Sequence, residues 1–407
     1  MNSNWQEVSL SDIGRIVGGA TPSTKNPDFY DGDIVWITPK DLSGFEERKI
    51  SKGARNITQE GYDSCSTSIL PKGSILFSSR APIGYVAIAG CELCTNQGFK
   101  SVVPDKTKID EQFLYYALKF NAQKIESMAS GTTFREVSGS VMKNVRIKCP
   151  KKLSDQKKIA NILSCIDDKI EVNKKINDTL EKIALAIFRY NFVDYIPYGG
   201  SSPSEWKKVS LNDVCVKITD GSHYSPKDSP GSPYPMFSVK DMEPYGFNHS
   251  SCKHITRDEF LKMERNDCVP RYNDILIAKD GSYLKEIFIC SKEKKEAILS
   301  SIALFRPNLE VVTPEHLLFF LKQPSIKKDV GDNYVSGSAL PRIVLKDFKK
   351  YTFVVPPLSE QLKINPLLNA IRMQINANID EINTLTQIRE LLLPRLISGE
   401  LQLPSEI

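Results

Sequence analysis

Cysteine and histidine are the residues whose chemistry is most easily recognised from spacing, and here they offer little. Cys91 and Cys94 form a C-x-x-C pair, but no second pair and no suitably spaced histidine follows, so zinc binding is not expected. Cys252 and His254 are also isolated, and a position in a loop or strand is the simpler interpretation. The nine cysteines are scattered and odd in number, which indicates reduced thiols and a cytoplasmic protein.

The sequence also lacks the motifs of common catalytic sites. It contains no GxxxxGKS/T, GxGxxG or HExxH, the patterns that cradle phosphates, bind dinucleotides or hold catalytic zinc. The NPPY-type tetrapeptide and glycine motif of an adenine methyltransferase are missing as well. We therefore predict a chain that is not an enzyme and that holds no cofactor or metal of its own.

The composition fits a soluble protein with two cores. Of the 407 residues, 41% are hydrophobic and 25% are charged, and the net charge of +5 permits nucleic-acid binding without suggesting it. The N-terminal sequence has neither the basic start nor the apolar run of a signal peptide. No run of about 18 apolar residues, long enough to cross a membrane, occurs in the sequence.

Two long amphipathic stretches must organise the remaining residues. From Leu153 to Tyr190, nine positions at heptad spacing form one stripe, and seven of the nine are apolar, which is typical of a long helix that needs a partner helix. The same stripe recurs 205 residues further along, and the entry sequence LSDQ at Leu153–Gln156 returns as LSEQ at Leu358–Gln361. This period is too long for a solenoid and indicates a duplicated half. The two stripes are Ile159, Leu163, Ile166, Ile170, Asn173, Asn177, Leu180, Ala184 and Ile187, and Ile364, Leu368, Ile371, Ile375, Asn378, Ile382, Leu385, Arg389 and Leu392.

The segments before each long helix read as mixed α and β. Short apolar runs predict strands at 33–38, 74–78 and 85–89, and an amphipathic helix is predicted from Asp110 to about Met128. The second segment repeats this plan, with DILIA at 274–278, a helix at 314–322, and SGSALPRI at 336–343 matching SGTTFREV at 130–137. The loops between these anchors differ. That difference fits two recognition modules for different ligands, or drift in unconstrained loops, and both interpretations stay open.

The predicted fold class is α+β, with two tandem mixed α/β domains separated by two long helices. Because a globular segment lies between them, the helices can form an intramolecular antiparallel coiled coil about a pseudo-twofold axis. The predicted division is residues 1–150 for the first domain, 151–196 for the first helix, 197–355 for the second domain, and 356–407 for the second helix and tail.

Asparagines and prolines mark special positions in these helices. Asn173 and Asn378 occupy equivalent heptad positions, so an antiparallel pair would place them together, where buried asparagine fixes register at a cost in stability. The alternative is a solvated asparagine at a loose point of the coil. Pro366 lies beyond the first helical turn, so the second helix is expected either to kink there or to begin near residue 365. Pro394 is expected to end or kink it, and Gly399 to serve as a cap beyond that proline.

The set of motifs, in this order and repeated, resembles the specificity subunits of type I restriction-modification enzymes. The resemblance covers nearly the whole chain, with departures at Pro366 and at the polar residues Asn177 and Arg389. Its carriers are GGATPSTKNPDFYDGDIVWITPKDL (18–42), LPKGSILFSSRAPIGYVAI (70–88), ITDGSH (218–223), VVPPLSEQ (354–361) and LLLPRLISGEL (391–401).

This resemblance implies a DNA-binding subunit. Each domain would be a target-recognition domain that reads one half of a bipartite site in double-stranded DNA, and the helix pair would set the spacer between the halves. The helices would also dock two adenine-N6 methyltransferase subunits, which carry S-adenosylmethionine. Restriction subunits that use ATP and Mg²⁺ would join the complex.

Specific DNA recognition needs hydrogen-bonding side chains at base edges, with lysine and arginine at phosphates. Lys40 and Lys240 recur in both halves and suit backbone contacts. Arg80 against Asp280 differs at one position and could discriminate, since Arg pairs with guanine and Asp accepts from cytosine. For each candidate, a solvated surface residue is the alternative. The candidates are Thr38, Lys40, Ser79, Arg80, Thr132, Thr133 and Arg135 in the first domain, and Ser238, Lys240, Lys279, Asp280, Ser338 and Arg342 in the second.

Two other functions compete with this interpretation. A purely structural coiled-coil assembly protein would bind no DNA sequence even with a methyltransferase partner present. A single-chain DNA methyltransferase is disfavoured by the missing catalytic motifs, because the repeat accounts for the whole chain.

Overall fold

A computed structural model describes residues 4–131, 135–292, 295–337 and 339–401 of the chain. The chain forms two compact units, the first made of Met1–Val172 with Glu381–Ile407 and the second of Asn173–Asp380. The boundary between the units therefore cuts both long helices, whereas the sequence-based division treats each helix as a segment of its own. Among the described residues, no helix combines the length and apolarity needed to cross a membrane.

The first unit is built on a five-stranded sheet. Its strand order is β2-β9-β6-β7-β5, and every neighbouring pair is antiparallel except β5 and β7. The strands are β1 (Trp5–Ser9), β2 (Gly14–Gly18), β3 (Tyr30–Ile34), β4 (Trp36–Ile37), β5 (Lys49–Ile50), β6 (Ile75–Ser79), β7 (Ile83–Ala89), β8 (Cys94–Thr95), β9 (Lys100–Pro104) and β10 (Arg146–Pro150). The helices are α1 (Leu10–Ile13), α2 (Gln59–Asp63), α3 (Glu111–Ser127) and α4 (Gly139–Asn144), followed by the long helix α5 (Leu153–Phe192), which belongs to this unit only as far as Val172.

The second unit repeats this plan on a four-stranded antiparallel sheet, β12-β20-β17-β18. Its first strands are β11 (Lys207–Ser210), β12 (Cys215–Asp220), β13 (Tyr234–Phe237), β14 (Met242–Glu243), β15 (Gly246–Phe247), β16 (Lys253–Ile255) and β17 (Ile275–Ala278). The others are β18 (Ile287–Ile289), β19 (Ala297–Ile298), β20 (Ile302–Pro307), β21 (Val335–Ser336), β22 (Arg342–Ile343) and β23 (Thr352–Val355). The helices are α6 (Leu211–Val214), α7 (Arg257–Arg265), α8 (Pro314–Leu321), α9 (Pro324–Asn333) and α10 (Leu345–Phe348), followed by the long helix α11 (Leu358–Ile397), which belongs to this unit only as far as Asp380. Short 3-10 turns occur at Pro27–Phe29, Pro39–Leu42, Ile196–Tyr198 and Val239–Asp241.

The predicted strands and helices correspond to observed elements. Helix α3 begins after its N-cap Asp110, whose carboxylate accepts hydrogen bonds from the backbone N–H groups of Gln112 and Phe113. Its predicted inward residues are all fully buried, as are all five residues of β6. The prediction of two mixed α/β cores is thereby confirmed. The inward residues of α3 are Phe113, Leu114, Ala117, Leu118 and Ile125.

A buried glutamine ties each domain to the first turn of a long helix. Gln156 accepts a hydrogen bond from the backbone N–H of Asp110 at 2.8 Å and donates to the carbonyls of Lys108 and Pro150 at 3.3 and 2.9 Å. Asp110 is the N-cap of α3, so this one side chain joins the cap of α3, the end of β10 and the start of α5.

The same arrangement recurs in the second unit. Gln361 accepts from the backbone N–H of Thr313, the N-cap of α8, at 2.9 Å. It donates to the carbonyls of Val311 and Pro356, both at 2.9 Å. The repeated LSDQ and LSEQ sequences thus have a shared physical role, because the fourth residue of each is this glutamine.

Within each unit, parts of the two long helices pair antiparallel. In the first unit, Lys169 of α5 meets Glu381 of α11 at 3.3 Å. Two residues earlier on α5, Asp167 meets Arg389 further along α11 at 2.8 Å. In the second unit, Asn177 bonds Asn378, and Tyr198, just beyond α5, bonds Glu360 near the start of α11. The residues of both predicted stripes are buried or half-buried, which confirms the predicted helix pairing inside each unit.

The described amide pair differs by one helical turn from the predicted one. Asn378 Nδ2 donates to Asn177 Oδ1 at 2.7 Å, whereas the sequence placed Asn378 beside Asn173. Asn173 is also buried, at 1% exposure.

Arg389, a polar residue in an apolar stripe, is explained by a buried carboxylate. Asp167 is 4% exposed, accepts from the Tyr116 hydroxyl at 2.6 Å and pairs with Arg389. Burial, and then the nearby Asp167 carboxylate, raises the pKa of Tyr116, so the phenol stays protonated and donates. Each oxygen of the Asp167 carboxylate therefore accepts a hydrogen bond, Oδ2 from Tyr116 and Oδ1 from Arg389.

Two of the alternatives expected for the prolines of the second helix are wrong, namely the start near residue 365 and the end at Pro394, whereas a kink at either proline stays a prediction. Helix α11 begins at Leu358, not near residue 365, and continues through Pro366 and Pro394 to Ile397. Proline removes the donor for the carbonyl four residues earlier. For Pro366 that carbonyl belongs to Leu362, a residue that is 52% exposed. Gly399 follows the helix with φ of 78°, the left-handed conformation typical of a helix cap, as predicted.

Removing the glutamine contact should destabilise the first unit. Gln156→Ala strands a buried N–H and two carbonyls, so we expect a loss of roughly 2–4 kcal/mol in the free energy of unfolding, measured by denaturant titration of the full chain. Gln123→Ala, at an exposed position of α3, is the matched control and should change stability by less than about 0.5 kcal/mol. Equal effects of the two substitutions would contradict the role assigned to Gln156.

Candidate functional site

Three charged side chains meet at one end of the sheet in the first unit. Arg80 directly follows β6, Lys100 begins β9, and Glu136 lies between α3 and α4. Lys100 Nζ donates to Glu136 Oε1 at 2.9 Å, and Arg80 Nη1 lies 3.7 Å from Glu136 Oε2. Two cations therefore share one carboxylate. We call Arg80, Lys100 and Glu136 the first strand-end cluster.

The backbone beneath this cluster is fixed by hydrogen bonds. Ser79 N–H donates to the Gly98 carbonyl at 2.7 Å, and Val137 N–H donates to the Ser79 carbonyl at 3.0 Å. Ser79, a predicted DNA contact, has 0% exposure, and its hydroxyl donates to the Gly98 carbonyl at 3.1 Å. Its side chain supports the strand end and presents no surface to a ligand.

A second strand-end cluster occupies the corresponding place in the second unit. Lys279 Nζ lies 3.0 Å from Asp220 Oδ2 and 3.5 Å from Asp280 Oδ1. Arg342, exposed on β22, pairs with Asp280 in an antiparallel backbone bridge. The side chains of Lys279 and Asp280 are 8% and 14% exposed, so both point largely inward. We define this cluster as Asp220, Lys279, Asp280 and Arg342.

The backbone positions of the two clusters correspond closely. Ser79 N–H and Lys279 N–H each donate to a carbonyl of the neighbouring strand connection, from Gly98 and Ser301. The N–H groups of Val137 and Ile343 donate to the carbonyls of Ser79 and Lys279, both at 3.0 Å. The corresponding strand pairs are Gly18↔Lys100 and Asp220↔Ala303, and the corresponding bridges are Ser130↔Glu136 and Ser336↔Arg342.

A glycine beside each cluster permits a close backbone approach. A Cβ added at Gly19 would overlap the Thr95 carbonyl oxygen, and one at Gly221 would overlap the Ile298 carbonyl oxygen. These glycines lie in the GGA and DGS sequences of the two repeats. Both units therefore need glycine at the same point, where the chain leaves the first sheet strand.

Thr38 and Ser238 also serve the backbone. Each hydroxyl donates to an aspartate three residues later, Asp41 at 2.6 Å and Asp241 at 2.8 Å, and each residue caps a 3-10 turn. Lys40 and Lys240 lie on these turns with exposed side chains. The two capping boxes thus present the recurring lysines at equivalent positions of the two units.

The other predicted contacts are not all described. Arg135 is exposed, and its Nη2 donates to the Glu126 carbonyl at 2.9 Å. Thr132, Thr133 and Ser338 lie outside the described residues. Asn173 and Asn378 belong to the long helices rather than to the clusters.

Sequence reasoning missed Lys100, Glu136 and Asp220. A signal existed for Glu136, because the matched sequences SGTTFREV and SGSALPRI place it opposite Arg342, with reversed charge. Lys100 and Asp220 gave no comparable signal, since strand register alone brings them to the strand ends.

The cysteine pair that resembled a metal motif lies inside the first unit. Cys94 is buried, and burial raises the pKa of its thiol to about 11, which disfavours the thiolate that zinc requires. Within the described ranges, no group of three or more His, Cys, Asp or Glu residues could hold a metal ion.

Comparisons with known proteins agree with the duplicated architecture. The sequence matches the family described as type I restriction modification DNA specificity domain twice, over residues 2–182 and 203–387. It is 34% identical to the type I restriction enzyme MjaIX specificity subunit of Methanocaldococcus jannaschii, over 98% of this chain and 94% of that one. It is 24% identical to the HindI specificity subunit of Haemophilus influenzae, over 98% and 100% of the two chains.

A solved structure shares the fold. The crystal structure of a type I restriction-modification S subunit from M. genitalium has a TM-score of 0.60 and 18% identity, covering 97% of this chain and 96% of that one. The domain matches account for both halves, and the similarity to MjaIX extends over nearly the full length. The chain therefore belongs to the family of type I restriction-modification DNA specificity subunits.

Proposed function

We propose that the chain is a non-catalytic, sequence-specific DNA-binding subunit of a type I restriction-modification complex. The observation that carries this proposal is the pair of strand-end clusters, in which one backbone arrangement presents different charged side chains in each unit. Two such domains suit a bipartite site whose halves have different sequences. Base-edge recognition uses hydrogen-bonding side chains held on a rigid scaffold, which both clusters provide.

Lys40 and Lys240 are proposed to bind DNA phosphates. They recur at equivalent capped turns with exposed side chains, and a residue that is the same in both domains cannot distinguish two half-sites. Phosphate contacts fix register and orientation without reading sequence. Arg135, also exposed, suits the same role in the first unit.

The long helices are proposed to set the spacer between half-sites. Each runs unbroken for 40 residues, which corresponds to about 60 Å at 1.5 Å per residue. Domains docked about one DNA turn apart (roughly 34 Å) would approach the same side of the duplex. The glutamine contacts support this role, because a spacer helix determines distance only if each domain is fixed to it.

The outer face of the helices is proposed to dock two adenine-N6 methyltransferase subunits. Ile176, Ile183 and Tyr190 recur every seven residues along α5 and are 41%, 45% and 52% exposed. Such a stripe of exposed apolar side chains suits a protein partner. The methyltransferases would carry S-adenosylmethionine and perform base flipping, and restriction subunits using ATP and Mg²⁺ would join through the complex.

The nine free cysteines support a reducing, cytoplasmic location.

Mapping of methylated adenines tests this function. The chain is co-expressed with its methyltransferase partner, and methylated positions are determined across the host genome. We expect a split motif, two short specified parts around a fixed gap, because each domain reads one part. Methylation without any motif would favour the alternative of a structural coiled-coil assembly protein, and methylation by the chain alone would favour a single-chain methyltransferase.

The amide pair in the helices is proposed to fix their register. Asn177 and Asn378 are 2% and 6% exposed, and the double variant Asn177→Leu/Asn378→Leu should raise the melting temperature by replacing a buried polar pair with apolar packing. It should also permit slipped or intermolecular pairing, visible as more than one gap length in the methylated motif or as dimers in solution.

The control for this experiment is Asn383→Leu, at an exposed position of α11, which should preserve the single gap and form no more dimers than the wild-type chain. A double variant with unchanged stability, a single gap and no dimers would show that the amide pair does not set register.

A further inference from the structure

Charges are exchanged between corresponding positions of the two strand-end clusters. Arg80 in the first unit corresponds to Asp280 in the second, and Glu136 corresponds to Arg342. The hydrogen bonds of Ser79 and Val137 match those of Lys279 and Ile343, so this correspondence rests on backbone geometry as well as on sequence. Each unit therefore carries one arginine next to the backbone hydrogen bond that joins these two segments. In the first unit the arginine follows β6, and in the second it lies on β22.

We propose that Arg80 and Arg342 are the residues that read guanine in the two half-sites, and that Glu136 positions Arg80. This inference rests on the proposed function. An arginine guanidinium can donate two parallel hydrogen bonds to O6 and N7 of guanine in the major groove, and this is the most frequent specific contact between proteins and DNA. Arg80 and Arg342 extend from opposite sides of the backbone arrangement that the two units share. They would therefore meet base pairs at different positions within their half-sites.

The exposure of the side chains separates readers from supporting residues. The Arg80 side chain is 36% exposed, and its 3.7 Å separation from Glu136 is an ion pair without a short hydrogen bond. A guanidinium has five N–H donors, so this pair leaves donors for a base. Lys100, at 17% exposure, is held at 2.9 Å by the same carboxylate and acts as an anchor.

In the second unit the residue that corresponds to Arg80 is Asp280, whose side chain is only 14% exposed. Asp280 has a buried carboxylate oxygen and an ion pair with Lys279, which is itself held by Asp220. Arg342, on the adjacent strand, is exposed. The second unit therefore presents arginine, and the proposal assigns base reading there to Arg342 rather than to Asp280.

Glu136 has a positioning role in the first unit. Its carboxylate is anchored by Lys100 and holds Arg80 from the side, which restricts the rotamers of a long, flexible side chain before DNA arrives. Preorganisation of this kind lowers the cost of ordering Arg80 against a base and holds it in the geometry that one base requires. Glu136→Gln keeps the shape of the side chain and removes its charge, so it should weaken base preference at the position read by Arg80 while leaving the other half-site unchanged.

The test uses the full complex with its methyltransferase partner and the mapped methylation motif. Arg80→Ala should relax one specified guanine in one half-site, Arg342→Ala should relax one in the other half-site, and affinity for the cognate duplex should fall roughly 5- to 150-fold in each case. Arg80→Lys should also lose preference at that position, because lysine lacks the two-pronged donor arrangement. Arg146→Ala, which removes an exposed arginine 3.9 Å from Glu7 on the β1–β10 pair, is the control and should change no base preference.

A second measurement avoids any folding defect in the variants. Wild-type protein is titrated with duplexes in which single guanines are replaced by 7-deazaguanine, which lacks the N7 acceptor. One replacement in each half-site should weaken binding, and the corresponding arginine variant should be insensitive to it. If the wild-type complex has a split motif but the arginine variants retain every specified base, or no 7-deazaguanine weakens binding, guanine reading by these residues is wrong while DNA recognition stands. If the wild-type complex has no motif, the proposed function itself fails.

Discussion

One buried amide in each half of the chain connects a globular domain to a long helix. Gln156 and Gln361 each bond the N-cap of a domain helix, a carbonyl just before that helix, and a carbonyl just before the start of α5 or α11. A buried amide with all three partners in place resists rotation of the domain on the helix, because each broken bond leaves a polar group away from water. Any function that depends on holding a domain in a fixed orientation on its helix depends on this contact.

The second general feature is a constant backbone with variable chemistry. Gly19 and Gly221 bring the chain against the sheet in the same way, and the capped turns present Lys40 and Lys240 alike. At the strand ends, in contrast, the charges differ and are partly reversed. Backbone geometry that is the same in both units suits contacts with DNA phosphates, and side chains that differ between the units suit the reading of different bases.

The sequence predicted the elements whose signal is periodic. The heptad stripes indicated both long helices, and the duplicated motifs indicated two mixed domains. The hydrogen bond between Asn378 and Asn177 and the start of the second helix at Leu358 were missed, because the exact register of a helix pair and the first residue of a helix depend on tertiary surroundings. Among the site residues, Ser79 looked available from its motif but is enclosed by its strand, while Lys100 enters the cluster only through strand register.

The structure of the chain bound to the proposed methyltransferase partners and to a duplex carrying the mapped site, determined by cryo-electron microscopy, tests the account most directly. We expect the Arg80 and Arg342 guanidinium groups about 2.7–3.2 Å from O6 and N7 of guanines in the two different half-sites, with Lys40 and Lys240 at phosphates. A complex in which both strand-end clusters face away from the DNA, with the bases read by other residues, would contradict it.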